Sequence, residues 1–307
     1  MRITTRMFYD NFLAGMNTNL QAIVDASEQL SSAKRVNKPS DDPLAMSRII
    51  GYKAETSQIT QHQRAINTAK DNLETMDSTL TTLSSVLSRA KELAVKGASG
   101  TETADSRAII AQEVDVLLSE AISLANARVG DRYIFSGYQS TTAPIGATGA
   151  FVADPNIVSI SIGENVNISL NMPASTFFND TTALPNSIDT NAANSQYILK
   201  ALNFLKQSLS DPNVTMQDLQ NSIGYIDDVT NVLSQKIGEV GAKLNKVADI
   251  KNFLEDRQFN VNKYLSNDQS ADVATLVTQI AQRQTSLEGL RQITTEFLSV
   301  NLFSFLR

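Results

Sequence analysis

The chain has no cysteine, no tryptophan and one histidine in 307 residues. Without cysteine there are no disulfides and no thiolate metal sites, which suits a protein that works outside the reducing cytosol without covalent staples. A single histidine leaves zinc or triad chemistry almost no raw material. Positive charge is also short: the net charge is −6, the pI is near 5.0, and no basic block stands out. Neither a nucleic acid nor a membrane is therefore an expected partner. No apolar run approaches the ~20 residues of a transmembrane helix. Met1-Arg2-Ile3-Thr4-Thr5-Arg6 has no apolar h-region, so a Sec-type signal is not expected. The chain either stays in the cytosol or leaves by a route that reads no cleavable signal.

Catalytic motifs are missing for stated reasons. His62 falls on the less apolar companion position of a long helical pattern and reads as a plain surface or seam residue. Ser31-Ser32-Ala33-Lys34 has Ser-x-x-Lys spacing without the companion motifs such enzymes need. Gly238-Glu239-Val240-Gly241-Ala242-Lys243 lacks the spacing and final Ser/Thr of a phosphate loop. Asp41-Asp42 reads as a helix cap and Asp227-Asp228 as a solvated helix face. Nothing suggests an enzyme, a cofactor or a metal.

Seven prolines are few, and two of them make one corner: Arg35-Val36-Asn37-Lys38-Pro39-Ser40-Asp41-Asp42-Pro43. Each lacks a backbone donor and pushes its predecessor out of the α region. A helix should end near Arg35 and a new one start at Asp42, with Pro43 at the first helical position.

Before the corner, Leu13, Met16, Leu20, Ile23 and Leu30 form a helical stripe with flanks of Asn, Thr, Gln and Ser instead of Glu and Lys. After it, Tyr52, Ile59, Ile66, Leu73, Leu80 and Leu87 recur one heptad apart, with Ala69, Met76, Leu83 and Ala90 at the companion position. This predicts a coiled-coil-like helix from Asp42 to about Lys96, roughly 80 Å long. A second helix is expected from about Ala104 to Arg128. Residues 132–194 hold most of the prolines and short alternating runs. Val158, Ile160, Ile162 and then Val166, Ile168, Leu170 predict a hairpin; Tyr133-Ile134-Phe135 and Phe177-Phe178 predict further strands. Helix resumes at about Ser195.

A second heptad array then runs from Met216 to Leu265. Leu219, Ile226, Leu233, Val240, Val247, Leu254 and Val261 hold one position; Met216, Ile223, Ile237, Leu244 and Leu265 hold the other. Asn267-Asp268-Gln269-Ser270 breaks it, mirroring the proline corner. The final helix carries Leu276, Ile280, Leu287, Leu290, Ile293, Phe297, Phe303, Phe305 and Leu306 and is again poor in charge.

The expected fold is mostly α with a small β-rich insert: a long antiparallel coiled-coil rod with its terminal helices paired. Residues 1–41 and 268–307 form a terminal coiled-coil domain, 42–131 and 195–267 a helical rod, and 132–194 an outer β-rich domain. The terminal stripes are the expected assembly interface, because exposed apolar ends recruit partners or aggregate. Asn37, Pro39, Asp41, Asp42 and Pro43 are the expected corner residues.

These segments resemble the bacterial flagellin superfamily. The corner is similar to the family's helix–corner–helix signature, although filament flagellins typically lack its prolines. Gly130-Asp131-Arg132-Tyr133-Ile134-Phe135-Ser136-Gly137 resembles the family's approach to its β region, and Leu302-Phe303-Ser304-Phe305-Leu306-Arg307 its C-terminal ending. The resemblance implies a flagellin-like fold and an adaptor role between the flagellar hook and its filament. It also implies type III export and assembly outside the cell into a ring of identical copies. The implied partners are a hook-side junction protein, flagellin, and a cytosolic export chaperone at the C-terminal segment. A filament-forming flagellin and a type III-secreted adhesin or effector remain open at this point.

Overall fold

A computed structural model of the chain describes residues 5–100, 102–146, 154–173, 175, 178 and 197–305. Six helices and two short hairpins follow in the order α1 Thr5–Ser32, α2 Pro43–Gly97, α3 Ala104–Ala125, β1 Arg128–Val129, β2 Arg132–Tyr133, β3 Ser159–Gly163, β4 Val166–Ser169, α4 Ile198–Ser210, α5 Met216–Gln269 and α6 Val273–Phe305. The expected class, mostly helical with a small β insert, is the observed one. The chain forms two compact units: residues 59–255, and residues 1–58 together with 256–307.

In the unit of residues 59–255, the heptad pattern of α2 becomes its core. Ile59, Ile66, Leu73, Leu80 and Leu87, with Ala69, Met76, Leu83 and Ala90, are all buried. Toward the end of α2 the buried set widens to Val86, Leu93 and Ala94, where α3 and α4 come in. Arg89 reaches Glu113 of α3 at 2.6 Å, and Gly97 lies directly under the Leu209 side chain of α4. A Cβ at residue 97 would meet the end of that leucine, so any larger residue there would have to displace it. The α3 and α4 helices pack on each other, and Lys206 pairs with Asp115 between them at 2.5 Å.

The α5 helix buries one heptad position along its length and a second, at Ser222 and Val229, only near its start. Leu219, Ile226, Leu233, Val240, Val247 and Leu254 are covered, whereas Ile223, Ile237 and Leu244 are half-buried and Met216 is exposed. The companion position lies at the rim of the seam, where a second flanking helix would be needed to close it. Asp227 is not simply solvated as expected, because it pairs with Lys91 of α2 at 2.5 Å.

The β insert is built on two turns that need left-handed backbone. Gly130 has φ +58 between β1 and β2, and Asn165 φ +59 between β3 and β4, the geometry that tight hairpins of this twist require. The predicted hairpin is present as β3 and β4, antiparallel, with Ile160 opposite Ile168 and a bulge between Ser161 and Gly163. The strand expected at Tyr133-Ile134-Phe135 stops at Tyr133. Ile134 and Phe135 instead turn inward, and Phe135 meets Phe178 edge-on at 5.9 Å. Phe178 is not in a strand, and Phe177 lies outside the described residues. Side-chain amides do the pairing that a longer sheet would have done: Asn126 both donates to and accepts from the Ile145 backbone at 3.0 Å.

Candidate functional site: the terminal helices and their corner

The unit of residues 1–58 and 256–307 has a different economy. The α1 and α6 helices pack against each other, as the matched composition of the two ends predicts. Yet among the described apolar side chains of this pair only Ala26, Leu276 and Leu287 are buried, each 7–8% exposed. Met16, Ile23, Leu30, Ile280 and Leu290 are half-buried. Leu13 is 37% exposed, Leu20 40% and Ile293 58%. Phe297, Phe303 and Phe305 fall within α6, but their side chains, and Leu306 altogether, lie outside the described residues.

Leu13, Met16, Leu20 and Ile23 step by three and four residues, the spacing of a coiled-coil seam. The covering helix lies along one edge of that seam, near Ala26, and leaves the other edge open. Tyr9 and Val24, at 47% and 58% exposure, extend the open edge at helical spacing. One polar pair sets the register, with Arg283 Nη1 donating to Asn19 Oδ1 at 3.0 Å.

The first helix ends three residues earlier than the sequence suggests. Ala33 has φ +53, Lys34 N donates to Gln29 O and Ala33 N to Leu30 O. This is the Schellman arrangement with alanine where glycine is usual, so it carries no glycine signal in the sequence. The corner that follows is held by two neighbouring carboxylates with different tasks. Asp41 Oδ2 accepts from Asn37 N and Lys38 N at 3.0 and 2.8 Å, closing the turn. Asp42 Oδ1 accepts from Ala45 N at 2.9 Å and caps α2, with Pro43 at its first position as expected. Backbone donors from Lys38 and Asn37 hold the Asp41 carboxyl below its ordinary value, and Ala45 N, then Arg35, does the same for Asp42. Asn37 is half-buried, and Pro39 is exposed.

Beneath the corner Val36, Ala45 and Ile49 are buried with Met46 and Leu265 packed on them. That cluster carries the compact unit past the corner into the start of α2 and the end of α5. There the two helices run antiparallel: Arg48 meets Asp268, Tyr52 stacks near Tyr264 at 6.0 Å, and Arg257 reaches Glu55 at 2.6 Å.

The second chain break lies at Ser270–Asp272, two or three residues later than expected, and it interlocks with the first. Arg35 N donates to Gln269 O at 2.7 Å, Ala271 N donates to Ala33 O at 3.1 Å, and Lys34 and Ser270 form an antiparallel bridge. Arg48 binds both Asp268 oxygens, Nε at 2.8 Å and Nη2 at 3.0 Å. Arg35 Nη2 donates to the Asp268 carbonyl at 3.0 Å. The Arg48 guanidinium lowers the Asp268 pKa, and the Thr275 hydroxyl followed by backbone donors lowers that of Asp272, which caps α6. Sequence reasoning found both breaks but not this interlock, whose partners lie 220 residues apart.

An open cleft of about 440 Å³ sits beside the corner, lined among others by Asp25, Glu28, Lys38 and Asp41. Its polar groups are already engaged: Lys38 pairs with Glu28 at 2.8 Å, and the Gln21 amide donates to Asp25. Among the described residues no group of His, Cys, Asp or Glu is placed to hold a metal ion. His62 is half-buried on α2, and α5 runs unbroken through Gly238–Lys243.

Comparison with known proteins follows the same lines. Residues 3–140 match the bacterial flagellin N-terminal helical region. The whole chain aligns with the full length of flagellar hook-associated protein 3 of Salmonella typhimurium at 25% identity. A Listeria monocytogenes flagellin aligns over 95% of both chains at 22% identity. The solved structure of a flagellar hook-associated protein from Vibrio parahaemolyticus superposes with a TM-score of 0.64 at 22% identity, covering 75% of this chain and all of that one. The fold is thus flagellin-like, and from end to end the chain resembles flagellar hook-associated protein 3.

Proposed function

We infer that this chain is a structural component of the bacterial flagellum, not an enzyme, and that it joins the hook to the filament. The observation that carries the reading is the half-open seam of α1, where Leu13 and Leu20 remain 37% and 40% exposed while spaced for coiled-coil burial. A fully buried leucine contributes ~1.5–3 kcal/mol, and these two realise only part of that in the single chain. Neighbouring copies in a ring would cover them, and the terminal helices would complete their ordering on docking. The Salmonella relative's name supports a hook-associated place; a hook-side junction protein and flagellin are then the partners on the two faces. Export through the type III route, with a chaperone on the C-terminal segment, fits a chain without cysteine.

A chromosomal deletion examined by electron microscopy tests this. Intact hooks, absent filaments and flagellin shed into the medium are expected; normal filaments would overturn it. The full-length alignment to a flagellin favours one second reading, a filament subunit. Long filaments growing unaided from concentrated purified protein would establish that reading instead.

A further inference from the structure

The terminal helices pack on each other but bury only three described apolar side chains fully, so contacts at their root matter to how they sit side by side in the single chain. Along their length only Ala26, Leu276 and Leu287 are fully buried among the described apolar side chains, with Met16, Ile23, Leu30, Ile280 and Leu290 half-buried. At their root the two chain breaks are joined by two backbone hydrogen bonds, Ala271 N to Ala33 O and Arg35 N to Gln269 O, which together make the antiparallel Lys34–Ser270 bridge. Those links place the last turn of α1 beside the first turn of α6. The backbone on the α5 side of the links is gripped by two arginines from the other strand of the chain: Arg48 holds both carboxylate oxygens of Asp268, and Arg35 holds its carbonyl. Arg35 also reaches Asp42 at 3.2 Å, the residue that caps α2, so the same cation ties the α2 start to the α5 end.

We propose that Arg48 and Asp268, with Arg35, form a latch whose closure keeps α1 and α6 paired in the free chain. Arg48 and Asp268 are positioning residues here: they touch neither terminal helix but fix the strand from which α6 departs. A two-pronged arginine–carboxylate pair is suited to this, because it fixes angle as well as distance. Its partly exposed setting also makes it releasable, since ion pairs open to solvent are screened by salt. The proposal concerns the isolated chain and does not rest on the assembly reading.

The absence of native cysteine permits a direct test on the full-length protein. Spin labels at Thr18→Cys and Gln282→Cys flank the Asn19–Arg283 contact, and pulsed electron resonance reads their separation. The otherwise unaltered chain should give a narrow, short distance. Arg48→Ala, and separately the near-isosteric Asp268→Asn, should lower the short-distance population by a factor of roughly 3 or more. Raising NaCl to about 1 M, where the screening length falls to about 3 Å, should do the same without any substitution. Lys91→Ala, which removes the ion pair to Asp227 in the other unit, should leave the distribution unchanged. A free chain without the short distance, latch variants that keep it, or an equal loss in Lys91→Ala would each overturn the proposal. Far-UV circular dichroism guards against a misfolded Arg48→Ala, in which case Asp268→Asn and the salt arm decide.

Discussion

Leu73, Leu80, Leu83 and Leu87 of α2 are all fully buried inside the unit of residues 59–255, at 0% exposure. Leu13 and Leu20 of α1 stand at the same kind of heptad spacing in the unit that holds both termini, and they keep 37% and 40% of their surface in solvent. The binary pattern is the same in both places. What differs is the company: α2 has α3, α4 and α5 close by in its own unit, while α1 has one helix along one edge of its stripe. A heptad stripe therefore specifies that a seam exists and leaves unstated whether the covering helix comes from the same chain.

The sharpest way to break this comparison is to make one truncation in each unit. Leu80→Ala should cost about 3–4 kcal/mol in urea denaturation, from lost burial plus the cavity left at a fully buried site. Leu20→Ala should cost clearly less, about 1 kcal/mol in the free chain, because Leu20 is only partly covered and its loss leaves no closed cavity. Equal costs at the two sites would erase the distinction. A second substitution probes the β insert. Gly137 has φ +67, and a Cβ there would run into the carbonyl oxygen of Asp154. Gly137→Ala should therefore destabilise residues 59–255 by about 2–3 kcal/mol, with thermal unfolding as the readout.

A gentler test works in the opposite direction. Ala33 holds a left-handed conformation at the end of α1, which costs an L-residue roughly 1–2 kcal/mol. Ala33→Gly should stabilise the terminal unit by up to about 1 kcal/mol after the added freedom of the unfolded chain is subtracted, and slow amide exchange in the last turn of α1. The smallest effect expected is that of acid. Asp42, Asp268 and Asp272 all have carboxyls held below the ordinary 3.8. Groups depressed in the folded state add stability above the unfolded value and lose it as pH falls through the folded one. Amide exchange in residues 5–58 and 256–305 should accordingly quicken below about pH 3.8, before that in α3 and α4. All three carboxylates are solvent-accessible, so the effect should shrink with added salt.

Much of this molecule was legible without coordinates. The leucines and isoleucines of the α2 ladder could be named as core because their period matches the helix, and burial of that stripe is what stabilises a long helix in water. Pro39, Asp42 and Pro43 marked the corner for a local reason, missing donors and a side-chain cap. The β3–β4 hairpin followed from alternation around Gly163 and Asn165. Other features had no local signal. Ala33 ends α1 in the place of a glycine, and Phe135 leaves its strand to meet Phe178 because that pocket lies across the fold.

What the residues alone determined is periodic and local: where helices run, which stripe is apolar, where the backbone must turn, and the want of catalytic groups. The tertiary structure decided which edge of each stripe is covered, and that Arg48 grips Asp268 across 220 residues of chain. Helical period and capping act within a turn or two of backbone, so sequence encodes them directly. Coverage and interlock arise only once distant segments are brought together, and no spacing of letters carries that distance.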